Sequence, residues 1–281
     1  VSRCHKLLFQ QIDVFSSAAT AGNPLALVHG ADDLTDEQMA KIANWTNLSE
    51  TAFLLKPTDP EADYRVRIWT PYTEMDFAGH PTLGSCFGWL CKNRTGKATD
   101  TIVQQCNIGL VRIRRDGNRL AFATPALRRR GPLDSDTLAK VITALGLTTA
   151  QVIDHQVVDN GAGWLGLLLD SAQSVLSVKP EPTLLAPLKV GIIGPYEGND
   201  GPAFEVRAFS AAGKFVEDPV TGSLNAGLAV WMTTSGKAPD SYVVSQGTLL
   251  GRQGRLHVQK TETDVWIGGD CHLTIEGQIH L

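Results

Sequence analysis

Glu74-Met75-Asp76-Phe77-Ala78-Gly79-His80-Pro81-Thr82-Leu83-Gly84 and Glu217-Asp218-Pro219-Val220-Thr221-Gly222-Ser223-Leu224-Asn225-Ala226-Gly227 share one spacing. In both, a glutamate, two glycines and a polar residue after the first glycine fall at the same offset. Working outward, Val66-Arg67-Ile68-Trp69-Thr70 upstream echoes Val206-Arg207-Ala208-Phe209-Ser210, and Gly117-Asn118-Arg119-Leu120 downstream resembles Gly254-Arg255-Leu256. The chain reads as two copies of one unit, each a set of strands, a glycine turn, a buried helix and more strands.

The helices inside these repeats carry no charge. Pro81 to Cys91 and Pro219 to Gly236 are apolar or neutral throughout. A helix apolar on all sides, yet too short to cross a bilayer, belongs inside a protein. Residues 81–91 and 222–234 are therefore expected as two enclosed helices. Two further helices have ordinary amphipathic patterns. Thr35 and Gln38 form a capping box ahead of Met39, Ile42 and Ala43; Asp134-Ser135-Asp136 precedes Leu138, Val141, Ile142 and Leu145. Short β-like runs bounded by Gly, Pro, Asn and Asp fill most of the rest, among them Leu7–Phe15, Tyr64–Trp69, Trp164–Leu169 and Phe204–Phe209. The expected class is α/β (α+β), two duplicated halves, each a curled and mainly antiparallel sheet around a central helix. The halves are expected at 1–121 and 122–281, with the last strand, 271–281, packing back onto the first half. Arg112–Ala126 with Pro125 reads as the crossover between them.

Composition narrows the function. The 281 residues amount to one large or two medium domains, at about 150 residues each. Lys and Arg number 25 against 29 Asp and Glu, a formal net charge of −4 that gives no global attraction to nucleic acid or anionic membrane. Seven arginines lie between positions 112 and 130, relieved only by Asp116. With Phe122 as the sole interleaved aromatic, they read as a solvated strand face and linker, not an RNA platform. No run approaches a membrane span, and Val1–Phe15 has no continuous secretory core. Five cysteines (Cys4, Cys86, Cys91, Cys106 and Cys271) without CxxC spacing fit reduced cytoplasmic thiols better than disulfides or zinc.

Chemistry concentrates at the two glycine turns. A helix N-terminus offers unpaired backbone N–H groups and roughly half a positive charge, a place for an anion. Gly79-His80 and Gly222-Ser223 provide it twice, so that two helix starts facing a cleft would hold a carboxylate. Glu50, His80 and Asp218 sit on or near these turns. Singly, each has a plain reading: Glu50 as a solvated loop acid, His80 as a structural cap, Asp218 as a helix-entry cap. Together they make an acid–base site needing no metal and no cofactor, with His80 kept neutral by the helix dipole. No HExxH motif or phosphate loop is present, and no nucleotide-binding glycine turn is expected.

The ordered set Asn47-Leu48-Ser49-Glu50-Thr51, Arg67-Ile68-Trp69-Thr70-Pro71 with Glu74, Asp76-Phe77-Ala78-Gly79-His80-Pro81 and Glu217-Asp218-Pro219-Val220-Thr221-Gly222-Ser223 resembles the phenazine-biosynthesis PhzF-like family. Gly22-Asn23-Pro24 and Gln246-Gly247 with Gly251-Arg252 resemble it too, and the likeness runs from about residue 8 to the C-terminus. The resemblance implies a diaminopimelate-epimerase-like fold with a cleft between two similar halves, a homodimer, and a cytoplasmic, cofactor-independent isomerase. It assigns Glu50 as the catalytic acid–base group and His80 and Asp218 as its polar partners. Ser49, Gly79, Gly222 and Ser223 become contacts to a small carboxylate substrate such as a dihydro-hydroxyanthranilate. Leu224, where many relatives have a small residue, is expected to narrow the pocket.

Two other functions compete. An amino-acid racemase or epimerase on the same fold uses a cysteine at the start of each central helix, where this chain has Ala78 and Thr221. A non-catalytic small-molecule-binding protein would need no acid–base set at all, and Glu50, His80, Asp218 and Ser223 are all present.

Overall fold

The computed structural model describes residues 6–93, 100–117, 119–198, 200–211 and 216–281; Cys4 and Asn118 lie outside them. The chain divides into two compact units, Val1–Ala123 with Gly268–Leu281, and Thr124–Ile267.

In the first unit the order is β1 (Lys6–Val14), β2 (Asn23–Val28), α1 (Asp36–Thr46), β3 (Thr51–Leu55), β4 (Tyr64–Trp69), β5 (Glu74–Met75), α2 (Gly79–Lys92), β6 (Thr101–Cys106), β7 (Gly109–Asp116) and β8 (Arg119–Ala123). β1 pairs antiparallel with β2, β2 runs parallel to β3, and β3 is antiparallel to β4. β4 then pairs antiparallel with β5 and parallel with β6, which continues antiparallel through β7 to β8. Parallel neighbours need a crossover, and α2 is the crossover between β4 and β6. It touches β1, β2, β3, β4, β6 and β8, so the sheet curls around it. That is why its sequence carries no charge before the exposed Lys92 at its end: Leu83 and Cys86 are fully buried, and the glycines Gly84 and Gly88 lie against Leu25 and Leu27 of β2.

The second unit comprises β9 (Arg129–Gly131), α3 (Ser135–Leu145), β10 (Val152–Asp159), β11 (Trp164–Leu169), α4 (Ala172–Ser177), α5 (Pro182–Leu185), β12 (Lys189–Pro195), β13 (Phe204–Ser210), β14 (Glu217–Asp218), α6 (Gly222–Thr234), β15 (Ser241–Gln246), β16 (Gly254–Lys260) and the first three residues of β17 (Val265–Gly269). Its ladder has the same order of pairings: β10–β11 antiparallel, β11–β12 parallel, β12–β13 and β13–β14 antiparallel, β13–β15 parallel, β15–β16 antiparallel. Here α6 is the crossover, from β13 to β15. It packs on β10, β11 and β16, and a Cβ at Gly227 would collide with the backbone carbonyl of Val158. The last strand, β18 (Cys271–His280), belongs to the first unit and runs antiparallel to β1.

Both amphipathic helices start where the caps require. Thr35 Oγ1 accepts from Gln38 N–H at 3.3 Å while Gln38 Oε1 accepts from Thr35 N–H at 2.9 Å. Asp134 accepts from Thr137 N–H at 2.9 Å. The first enclosed helix begins at Gly79, two residues before the expected 81, because Gly79 and His80 already have helical backbone. Arg112–Ala126 is not a plain crossover: most of it is the β7–β8 hairpin. Arg112, Arg115 and Arg128 to Arg130 are exposed, as a solvated face requires. Among the described residues no helix is long and apolar enough to cross a membrane.

The repeated motif has one further physical content. Arg67 grips Glu74 through Nε and Nη2, both at 2.7 Å, and lies over the Trp69 ring at 5.5 Å. Arg207 grips Glu217 the same way at 2.9 Å and lies over Phe209 at 4.7 Å. In each unit this two-pronged pair fastens the segment that enters the central helix to the strand before it. Arg207 is the more deeply set, with its Nη1 also donating to the carbonyls of Val175 and Val178 at 3.1 and 2.7 Å. Arg207→Ala should strand a nearly buried carboxylate and two carbonyls, lowering stability by about 3–5 kcal/mol in urea unfolding; Arg207→Lys, lacking the fork, should recover only part of it.

Candidate active site

In the first unit the site is built on the end of the loop before β3 and the start of α2. Glu50 immediately precedes β3, and His80 is the second residue of α2, 4% exposed. His80 Nε2 lies 3.4 Å from Glu50 Oε2. On the other side of the ring, Asn23 Nδ2 lies 3.4 Å from Nδ1, and Asn23 Oδ1 accepts from Ser49 Oγ at 3.3 Å. An amide N–H facing Nδ1 makes that nitrogen the acceptor, which leaves the proton on Nε2, toward Glu50. The ring is neutral: burial pushes its pKa down to about 3. The expected neutrality of His80 is therefore correct, while its leading cause is desolvation, not the helix dipole.

Asn23 was not singled out as a site residue. Its signal was the motif Gly22-Asn23-Pro24, whose physical reason is now visible. Asp13 Oδ2 accepts from the N–H groups of Ala21 and Gly22, both at 2.9 Å, and a Cβ at Gly22 would overlap the Val14 carbonyl. The loop is pinned so that Asn23 is presented to His80.

In the second unit, Asp218 is not a helix cap. Its Oδ2 accepts from Thr221 Oγ1 at 2.6 Å. Gln246 ties the same corner together: its Oε1 accepts from Thr221 N–H at 3.0 Å and Asn225 Nδ2 at 2.8 Å, while its Nε2 donates to Thr221 Oγ1 and the Asp218 carbonyl. Ser223 Oγ accepts from Trp164 Nε1 at 3.0 Å, and its carbonyl accepts from Asn160 Nδ2 at 2.8 Å. With an indole N–H on its oxygen, the Ser223 hydroxyl has its own proton to give. Asn160 and Trp164 were beyond sequence reasoning, since Ser223 is 63 and 59 residues away from them; Thr221 and Gln246 stood in quoted motifs, but their bond to each other, across 25 residues, did not show there. Leu224 does not narrow a pocket: it is fully buried, with its side chain seated on Gly191 of β12.

The N-cap residues of the two enclosed helices are Ala78 and Thr221, and neither makes a side-chain cap; among the described residues no side chain accepts from the first turn of either helix. The first unit thus brings Ser49, Glu50, Gly79 and His80 together, and the second gathers Asp218, Gly222 and Ser223. Cys86 is a packing residue, its thiol pushed up to about 12 by burial, so it supplies no thiolate base. The spacing Gly161-Ala162-Gly163-Trp164-Leu165-Gly166 matches a dinucleotide glycine turn on paper. It opens the strand β11, not a helix, and the Gly161 and Gly163 N–H groups are already taken by Asp159 Oδ1, so it holds no pyrophosphate. Among the described residues no three His, Cys, Asp or Glu side chains gather as a metal would need.

The fold is that of phenazine-biosynthesis proteins of known structure. One from Enterococcus faecalis, described as of the PhzF family, matches with a TM-score of 0.80 at 25% identity, covering 99% of this chain and 100% of that one. The chain belongs to the phenazine biosynthesis-like (PhzC-PhzF) family, whose model matches residues 12–277. It is 36% identical to Antisense-enhancing sequence 1 of Schizosaccharomyces pombe, over 96% of this chain and 97% of that one. It is 30% identical to the trans-2,3-dihydro-3-hydroxyanthranilate isomerase of Pseudomonas aeruginosa, over 96% and 98%. It is an enzyme of an isomerase family.

The buried neutral imidazole has a measurable consequence. Below pH 6.5 the unfolded His80 binds a proton that the folded one refuses until about pH 3, so stability falls as pH falls through that window. His29, lowered to about 4 mainly by burial, adds in the same direction. The urea midpoint should drop by an amount worth a few kcal/mol between pH 7 and pH 4, and His80→Gln should visibly flatten that drop.

Proposed function

We propose that the chain catalyses a cofactor-independent proton shift within a small carboxylate-bearing substrate, with Glu50 as the group that takes and returns the proton. The observation that supports this reading most is the pairing of Glu50 with a neutral, N–H-bearing imidazole. A neutral donor steadies the carboxylate without competing for the substrate's proton. Glu50 abstracts a proton from one carbon, carries it as the carboxylic acid, and delivers it to another. One bond to hydrogen breaks, one forms, and the net charge is unchanged. Ser49 and Asn23 hold the ring of His80 in the orientation this requires.

Each unit by itself offers an anion a place: the helix start at Gly79 in the first, and in the second the helix start at Gly222 with the Ser223 hydroxyl, to which the substrate's carboxylate is assigned. Trp164 keeps that hydroxyl a donor. Asp218, tied to Thr221, is the carboxylate that the second unit offers beside Ser223, for a hydrogen-bonding part of the substrate. The Pseudomonas aeruginosa relative is named for trans-2,3-dihydro-3-hydroxyanthranilate, an unsaturated ring bearing a carboxylate, and a substrate of that kind suits these roles.

The test is kinetic, on that compound and a panel of unsaturated carboxylic acids, with the reaction run in deuterated water. Glu50→Gln should lower turnover by about 100-fold or more with little change in KM, and the wild type should place solvent deuterium at the carbon that gains the proton. Ser223→Ala should instead raise KM, since it loses a hydrogen bond to a charged group worth roughly 1.5–3 kcal/mol. Near-normal turnover in Glu50→Gln would remove the mechanism.

A further inference from the structure

The second unit holds a cavity of about 550 Å³ on the side of β9, α3 and the segment entering β12, lined by none of the residues assigned above to the proton shift. Its apolar wall is made by Leu133, Val157, Leu165 and Leu188. Arg129, Arg130 and Lys189 stand around it, and among the described residues none of the three forms an ion pair. The acids nearby are already engaged. Asp134 lines the cavity, but its carboxylate caps α3 and is held below its ordinary range by the Thr137 N–H and hydroxyl. Asp159, opposite Arg129 in the ladder, accepts from Gly161 and Gly163 N–H. Three cations and one occupied carboxylate thus share the lining of this hollow with an apolar wall.

We infer that this cavity is a second ligand site, for a small organic anion with an apolar body: a carboxylate or a phosphate monoester carried on an aliphatic or ring skeleton. The volume is within the range of small-molecule sites, about 300–1,000 Å³. Arg129 and Arg130 leave opposite faces of β9, so the anionic head is matched by Lys189 with one of the two guanidinium groups, and the leucine and valine side chains match the skeleton. A single-stranded nucleic acid is the weaker fit, because no aromatic ring lines the cavity for a base to stack on.

The experiment is a heteronuclear NMR titration of the whole chain, followed at the amides of Leu133, Thr137 and Leu188, which line this cavity and are removed from Glu50 and from Ser223 with its partners Asn160 and Trp164. Four probes are used: cyclohexanecarboxylate, phenyl phosphate, inorganic phosphate and an oligouridylate. Cyclohexanecarboxylate or phenyl phosphate should move these amides together and saturably, and the tighter of the two identifies the head group. Inorganic phosphate, without an apolar body, should bind at least about ten-fold more weakly. Lys189→Ala, and Arg129→Ala with Arg130→Ala, should each weaken the organic anion by about ten-fold while leaving the thermal unfolding midpoint in place. The inference is overturned if neither organic anion moves these amides, if binding survives the substitutions, if inorganic phosphate binds equally well, or if only the oligouridylate binds.

Discussion

The Arg–Glu fork before each central helix is the constraint on which the rest of each unit depends. An enclosed helix with no charge and no cap has little of its own to fix where it starts. The fork supplies that: two parallel hydrogen bonds at 2.7 Å in one unit and 2.9 Å in the other hold the entering segment against the strand that precedes it. Because both partners are largely withdrawn from water, the arrangement has to be complete in order to be stable. The aromatic ring two residues after each arginine covers the guanidinium's flat face. Once the segment is fixed, Gly79 and Gly222 begin the helices at set points, and the residues that follow them are set too.

That fixed start is what gives His80 its character. At the second position of a helix enclosed by sheet, the ring has almost no access to water, and a charged imidazole there would be costly. It remains neutral, with one nitrogen toward Asn23 and the other toward Glu50. Burial makes the ring a poor proton acceptor, and the Asn23 amide on Nδ1 leaves Nε2 as the nitrogen that faces Glu50. In the second unit the equivalent position is Ser223, and the same logic holds with a different donor pair: Trp164 takes the lone pair and leaves the proton. Two unlike residues at one repeated position are each held to donating by a neighbour from elsewhere in the chain.

Much of this was legible in the chain itself. The repeat of Glu, Gly and polar residue, the two uncharged helices, and the capping patterns at Thr35 and Asp134 follow from local rules: helical period, cap chemistry and glycine placement act over a few residues, so a linear reading contains them. Glu50, His80, Asp218 and Ser223 lie inside or beside those same patterns, which is why they stood out. The strands β10, β12 and β15 were harder. β12 carries Gly191 and Gly194, which weaken a strand pattern in sequence, yet they are needed because Leu224 and the Ser171 backbone sit where their side chains would be.

The sequence by itself determined most of the helices and the duplicated turn, because helical period, cap chemistry and glycine placement rest on contacts between near neighbours. Tertiary structure alone decided what the site residues are chemically. Asn23 reaches His80 across 57 positions, Trp164 reaches Ser223 across 59, and Gln246 reaches Thr221 across 25. It also turned Leu224 from an expected pocket wall into core packing and gave Asp218 the Thr221 hydroxyl as its partner. The physical reason is one and the same. Burial and hydrogen-bond partners set protonation and donor direction, and both are supplied by residues distant in the chain that only the folded sheet brings to the helix starts.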